Sequence, residues 1–392
     1  MNFPWRLTKL SEVLQSISRS EPVDPAKEYR LLGIRLDGGG AFHRETKLGS
    51  QIAARTLSQV RMGDFIYSRL FAWRGAFGVI GAELDGCYVS GEFPTFTPIP
   101  SRIDVQFLRH WFCLPTTIAR VEADCTGSTP LTRNRFKEHF FLALEVPLPP
   151  LGEQRGIVAR IEDLAIKIDE ARLLRQQAAE HADALVGARS AAVFRRSATG
   201  GTVPLESIAS LERGKFSHRP RNDPRFFGGA HPWIQIGEIE SAGKVIRRWT
   251  ETLNDDGLAI SKRFPKGTVL ISIAATIGSV GILDFDCCVP DSIVGVTPND
   301  GTDSEFLYYY LTYLRGHLEE IAPQSAQKNI NLQILSPLPV PKLALGEQRR
   351  IVEELDALQT QANALKRLQA EAAAELDGLL PSILDKAFNG EL

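Results

Sequence analysis

Apolar residues recur at alternating steps of four and three at Ile157, Ile161, Leu164, Ile168, Ala171, Ala178, Ala182 and Leu185. The same rhythm returns at Ile351, Leu355, Leu358, Ala362, Leu365, Ala372, Leu376, Leu379 and Ile383. A seven-residue repeat held this long is the seam of a coiled coil, narrower than the apolar stripe of a helix lying on a globular core. Each run follows a proline-containing lead, EVPLPPLGEQR at 145–155 and LPVPKLALGEQR at 338–349. Proline there blocks an earlier helix start, and Glu153 and Glu347 suit the positive end of the helix dipole. Gly187, Gly378 and Pro381 are breakers, so uninterrupted rods are expected over about 153–186 and 347–379, each roughly 50 Å long at 1.5 Å per residue. Arg175 and Gln369 occupy the seam position where Leu or Ile is expected. They either turn their polar ends outward or meet in a polar layer that fixes the register of an antiparallel pair.

The two rods are copies. A single shift of 194 residues aligns Val146–Phe194 with Val340–Phe388 without a gap, and about a third of the positions are identical. Between the rods the pattern changes to short β-branched or aromatic runs separated by Gly and Pro turns, over 1–145 and 202–339. These segments read as two α+β domains that also resemble each other. MGDFIYSRLFAWRGAFGVIG at 62–81 parallels KGTVLISIAATIGSVGIL at 266–283, matching Gly63 with Gly267, Ser68 with Ser272, Gly75 with Gly278 and Gly78 with Gly281. The expected organisation is a globular domain at 1–150, a helical spacer at 151–196, a second globular domain at 197–344 and a second spacer at 345–392. SATGGTVP at 197–204 is the link between halves.

Composition adds exclusions. A chain of 392 residues exceeds one ordinary core, and no apolar run approaches the roughly 20 residues that span a bilayer. The start lacks the pattern of a secretory signal, so a cytoplasmic home is expected. Five cysteines without a C-x-x-C pair read as free thiols. The net charge of −2 hides segregation: residues 1–151 carry 18 basic and 15 acidic groups, residues 346–392 carry 5 and 9. The densest basic segment is ERGKFSHRPRNDPRFF at 212–227, where Arg213, Lys215, Arg219, Arg221 and Arg225 interleave with aromatic residues. A search for chemistry returns no phosphate loop, no nucleophile elbow and no zinc-spaced cluster. Nor is there an Asp-Pro-Pro-Tyr or Asn-Pro-Pro-Tyr tetrapeptide for methyl transfer to a flipped base. No metal, cofactor or catalytic residue is expected in this chain.

PLPPLGEQRGIVARIEDLAIKIDEAR at 147–172, LPVPKLALGEQRRIVEELDAL at 338–358 and ILDKAFNGEL at 383–392 resemble the specificity subunits of type I restriction-modification systems, and the organisation matches over essentially the whole chain. The resemblance implies two target-recognition domains on an antiparallel coiled coil, reading a bipartite, asymmetric site in duplex DNA. It also implies two methyltransferase subunits as partners, which bring S-adenosylmethionine, and restriction subunits joined through them. Base edges are read by Arg, Lys, Asn or Gln, while phosphate contacts set register. The expected DNA contacts in the second domain are Arg213, Lys215, Arg219, Arg221, Arg225 and Gln235; in the first they are Arg44, Lys47, Arg55, Arg69 and Arg74. The alternatives are a coiled-coil scaffold without a DNA role and, more remotely, a nucleotide-binding enzyme using the Gly-rich loops.

Overall fold

The structure is a computed structural model and describes residues 5–126, 135–323 and 329–392. It divides into two compact units, one made of Met1–Arg175 with Ala370–Leu392 and the other of Gln176–Gln369. The first long helix, Leu151–Ala198, and the second, Leu345–Phe388, therefore each contribute to both units. No helix among the described residues is long and apolar enough to cross a membrane.

In the first unit an antiparallel sheet has the order Leu14–Ile17, Thr95–Pro98, Phe65–Tyr67, Phe77–Val79. A mixed sheet has the order Ser20–Pro22, Thr56–Gln59, Tyr88–Val89, Glu28–Ile34, Ala41–Leu48. In the second unit the first of these sheets recurs as Ala209–Arg213, Ile293–Pro298, Val269–Ser272, Val280–Leu283, with Val245–Ile246 added at the edge. The other recurs as Arg263–Phe264, Cys287–Cys288, Phe227–Trp233, Glu251–Leu253. Even the single parallel contact of the mixed sheet is repeated, as Leu31 beside Tyr88 and Trp233 beside Cys288. The glycines matched in sequence explain why so faint a likeness survives. Gly63 and Gly267 have φ of 85° and 87°, and Gly75 and Gly278 have 69° and 78°, a region that a Cβ disfavours.

The core of the first unit is aromatic: Phe65, Tyr67, Phe77, Phe96, Phe112 and Phe141 lie together beneath the antiparallel sheet and are fully buried or nearly so. Ile157, Val158 and Ile161 from the start of the first long helix join it, as do Leu384, Ala387 and Phe388 from the end of the second. Phe388 packs on Phe107 with ring centres 4.8 Å apart. The second unit mirrors this with the roles of the long helices exchanged. Phe194, near the end of the first helix, packs on Phe306, Tyr310 and Tyr313 at 5.9, 5.1 and 5.4 Å, beside Val352 and Leu355. Opposed chain directions follow in each unit: Arg172 pairs with Asp377 at 2.8 Å in the first, and Asp183 with Lys366 at 2.9 Å in the second.

Both helices outrun their expected ends, continuing past Gly187 and Pro381 to Ala198 and Phe388. An internal proline costs about 3 kcal/mol, but Leu384, Ala387 and Phe388 are buried directly beyond Pro381. That burial outweighs the local break. The seam also departs from the strict heptad. Ile157, Ile161, Ile168, Ala182 and Leu355 are buried, and Leu164, Arg175, Ile351, Leu358, Gln369 and Leu376 are half-buried. Leu185, Leu365 and Leu379, expected on the seam, are exposed by 59%, 39% and 43%. Val186 and Leu380, the successors of Leu185 and Leu379, are half-buried instead, while Lys366 after Leu365 pairs with Asp183 at the surface. A helix of 3.6 residues per turn drifts about 20° per heptad against a 3.5 repeat, so a long seam must slip by one residue. Ile161→Ala is therefore expected to cost about 2–5 kcal/mol and Leu185→Ala no more than about 0.5 kcal/mol in denaturant titrations. Equal losses would contradict the slip.

The repeated LGEQR stretches lie at the two helix entries, and the glutamine is the engaged residue. Gln154 is fully buried and Gln348 is 5% exposed. The Gln154 side-chain oxygen accepts from the Asp104 backbone N–H at 2.8 Å, and its amide donates to the carbonyls of Arg102 at 3.0 Å and Pro149 at 2.8 Å. Gln348 repeats the set with Asp303 at 2.9 Å, Gly301 at 3.1 Å and Leu343 at 3.0 Å. Asp104 and Asp303 in turn cap the helices Val105–Trp111 and Ser304–Tyr313, which carry Phe107 and Phe306.

Candidate nucleic-acid interface

The basic segment of the second unit leaves the strand Ala209–Arg213, crosses a β-bridge at Phe216 and ends in the short turn Pro224–Phe226. Its alternation of cations and rings has a simple cause. Phe216 and Phe226 are buried, forming a small core with Trp233, Leu253 and Cys288, while the charged residues between them face outward. The rings are thus a floor under the loop and not a stacking surface. Asp291, more than 60 residues away in sequence, gathers the arginines. Arg219 reaches one carboxylate oxygen at 3.1 Å, Arg221 the other, and Arg213 donates to the Asp291 carbonyl at 2.5 Å. The second amino group of Arg219 also donates to the carbonyls of Phe216 at 2.7 Å and His218 at 2.8 Å. Arg225 lies 4.6 Å over the Phe226 ring and 3.7 Å from Asp223, whose carboxyl is held below its usual range chiefly by the Arg225 backbone N–H. Lys215 is exposed.

Three acidic groups, Glu212, Asp223 and Asp291, do not cancel four arginines and a lysine, so the segment keeps a net positive charge. All five expected cations of this domain lie on the one segment, and the structure adds Asp291 as the residue that orders three of them. A local reading of charge density cannot find such a partner. Gln235 is exposed at the start of the helix Ile236–Ser241; its backbone N–H donates to Glu238 at 3.1 Å and its side-chain amide to Glu251 at 2.8 Å. It shares with Arg221, Asn222, Trp233 and Ser292 an open cavity of about 530 Å³. A second basic surface was missed by the sequence reading: Arg247, Arg248 and the 44% exposed Trp249 line a hollow of about 600 Å³. Their adjacency in VIRRWT was the available signal.

The first unit divides its candidates. Arg44 and Lys47 lie on the edge strand Ala41–Leu48, 3.4 and 3.0 Å from Glu45, and Arg55 is exposed on the following connection. Arg69 and Arg74 lie instead between Phe65–Tyr67 and Phe77–Val79. Arg69 is committed internally, pairing with Glu138 and donating to the Gly91 carbonyl at 2.7 Å. Arg74 is exposed and lines a cavity of about 440 Å³ with Asp37, Trp73 and Cys113. Among the described residues no cluster of three or more His, Cys, Asp or Glu side chains is placed to hold a metal ion.

A family model described as the type I restriction modification DNA specificity domain matches residues 201–375. A chain solved in work on complex assembly and conformational transition of the type I R-M system is 27% identical, with a TM-score of 0.75, and the match covers 100% of both chains. The chain resembles the specificity subunits of type I restriction-modification systems along its whole length. The crystal structure of the HsdS subunit from Thermoanaerobacter tengcongensis agrees, at 27% identity and a TM-score of 0.65 over 100% of this chain and 99% of that one. Among curated specificity subunits, that of the Escherichia coli EcoBI enzyme is 23% identical over 279 residues, 63% of this chain and 58% of the relative. That of EcoDI is 30% identical over 166 residues, 39% and 36%. The matched stretches thus span less than two thirds of these two relatives. The family model covers the second globular domain and most of the second long helix, and the internal duplication carries the same organisation into the first half.

Proposed function

We propose that this chain is a specificity subunit that reads duplex DNA and is itself non-catalytic, each globular domain recognising one half of a bipartite, asymmetric site. The observation that carries this reading is the duplication of one domain fold with differing exposed cations, on long helices shared by both units. Similar domains bind similar substrates, and differing surface residues make the half-sites differ. Arg213, Lys215, Arg219, Arg221 and Arg225 supply phosphate and base contacts in the second domain, with Gln235 as a base reader. In the first domain Arg44, Lys47, Arg55 and Arg74 take this role, and Arg69 holds the fold beside them.

The partners are two methyltransferase subunits that bring S-adenosylmethionine, with restriction subunits joined through them, and the complex works in the cytoplasm. Exposed leucines at equivalent positions of the two helices, Leu174 with Leu368 and Leu185 with Leu379, support two copies of one partner on two similar surfaces. Methylation mapping of DNA from cells carrying the chain with its modification subunit tests the whole reading. A two-part asymmetric motif is expected; a contiguous palindrome would sink it. Replacing Arg219 and Arg221 with alanine together is expected to weaken binding and to flatten the plot of log affinity against log salt by about two, because each phosphate left without its arginine takes away nearly one unit of slope. An unchanged slope in a titration would remove these residues from the interface.

A further inference from the structure

The geometry points to Gln154 and Gln348 as positioning residues that set the angle at which each globular domain is carried on its long helix, and thereby the half-site spacing the complex accepts. The inference rests on the reading of a bipartite DNA site. Its basis is a buried three-bond clamp made twice, by the same residue of the same motif, to equivalent backbone groups. Each glutamine belongs to a long helix, while Asp104 or Asp303 and Arg102 or Gly301 belong to a globular domain. A third bond goes to the lead, at Pro149 or Leu343.

Each joint also holds apolar contact, Phe107 on Phe388 in one unit and Phe306 on Phe194 in the other, and side-chain bonds that differ between the units, Trp5 to Glu153 at 3.1 Å in the first and Lys244 to Asp356 at 2.6 Å in the second. Apolar contact is non-directional, so such packing holds a domain on its helix and leaves the angle soft. A buried amide with three directional bonds removes that freedom, because any pivot breaks bonds that no water can replace. The Asp104 and Asp303 backbones that the amides hold also cap the helices bearing Phe107 and Phe306. The clamp and the packing are thereby coupled through a single residue in each unit.

The test uses the full chain in complex with its modification subunits, as wild type and with Gln154→Met or Gln348→Met, which keep side-chain volume and delete the bonds. Binding is measured on the mapped site, on duplexes with the spacer one base pair shorter or longer, and on duplexes with one half-site altered. One base pair shifts a half-site by about 3.4 Å and turns it by about a tenth of a helical turn, so the wild type is expected to discriminate strongly. Each variant is expected to lose at least tenfold of its discrimination between spacers while keeping its discrimination between half-sites. Phe96→Leu, which loosens the domain core away from the joint, is expected to lower the melting temperature without moving spacer preference. Folded variants with wild-type spacer preference would overturn the inference, as would a parallel loss of both kinds of discrimination. Should the methionine variants fail to fold, Gln154→Glu and Gln348→Glu give the same readout, and failure of these too would assign the glutamines to stability alone. If the wild-type complex shows no two-part site, the DNA reading itself falls, an outcome seen before any variant is made.

Discussion

Truncation of Phe388 to alanine is expected to lower stability by about 3–5 kcal/mol, with the loss confined to the unit formed by Met1–Arg175 and Ala370–Leu392. The ring is 1% exposed, packs on Phe107 and lies in the same cluster as Trp111, Ile157 and Ile161. Phe194→Ala is expected to do the same to the other unit, where the ring is equally buried among Phe306, Tyr310 and Tyr313. Denaturation of a chain with two cores need not be a single transition, so amide exchange resolved by segment is the suitable measurement. Phe388→Ala should speed exchange in the strands Phe65–Tyr67 and Thr95–Pro98, and Phe194→Ala in Val269–Ser272 and Ile293–Pro298. Faster exchange in the opposite unit, or a cost below about 1 kcal/mol, would refute the assignment of each helix end to its core.

Arg19→Met should be nearly as damaging. Asp64 is 2% exposed and is held by two guanidinium bonds from Arg19, at 2.5 and 3.2 Å, with further bonds from the Arg61 backbone N–H at 2.8 Å and the Thr97 hydroxyl at 3.1 Å. Removing the arginine leaves a buried carboxylate without its counter-charge, which costs about 3 kcal/mol, the lower end of the usual range because Arg19 is itself partly solvated. The double substitution Arg19→Met with Asp64→Asn is expected to recover a large part of that loss, since the amide keeps two of the four bonds and carries no charge. A double variant less stable than the single one would show that the hydrogen-bond geometry matters more than the unpaired charge.

The long helices were legible in sequence because a periodic seam and an ungapped repeat are local signals, and the matched glycines were legible because φ above zero restricts the residue type. Other features turn on contacts between distant residues. Gly187 and Pro381 look like helix ends, yet the burial of Phe194 and Phe388 decides where the helices stop. Leu185, Leu365 and Leu379 fit a 3.5-residue pattern that the helix does not keep over its length. In the LGEQR stretches the glutamate suggests a dipole interaction, whereas the neighbouring glutamine makes bonds to carbonyls about 50 residues earlier in the chain. The basic segment at 212–227 was visible as charge, but not Asp291, which orders it, nor the commitment of Arg69 to Glu138.

The exchange of helix ends between the cores also reverses the usual order of maturation during synthesis. The second unit is a continuous stretch, Gln176–Gln369, whereas the first waits for a return segment beginning at Ala370. On the ribosome, where N-terminal domains generally fold first at about 5–20 residues added per second, the C-terminal half of this polypeptide can close before the N-terminal half has its last core residues. Until Phe388 emerges, the nascent first domain carries an open apolar seat around Phe107, and a chaperone or a premature stop would act on that intermediate.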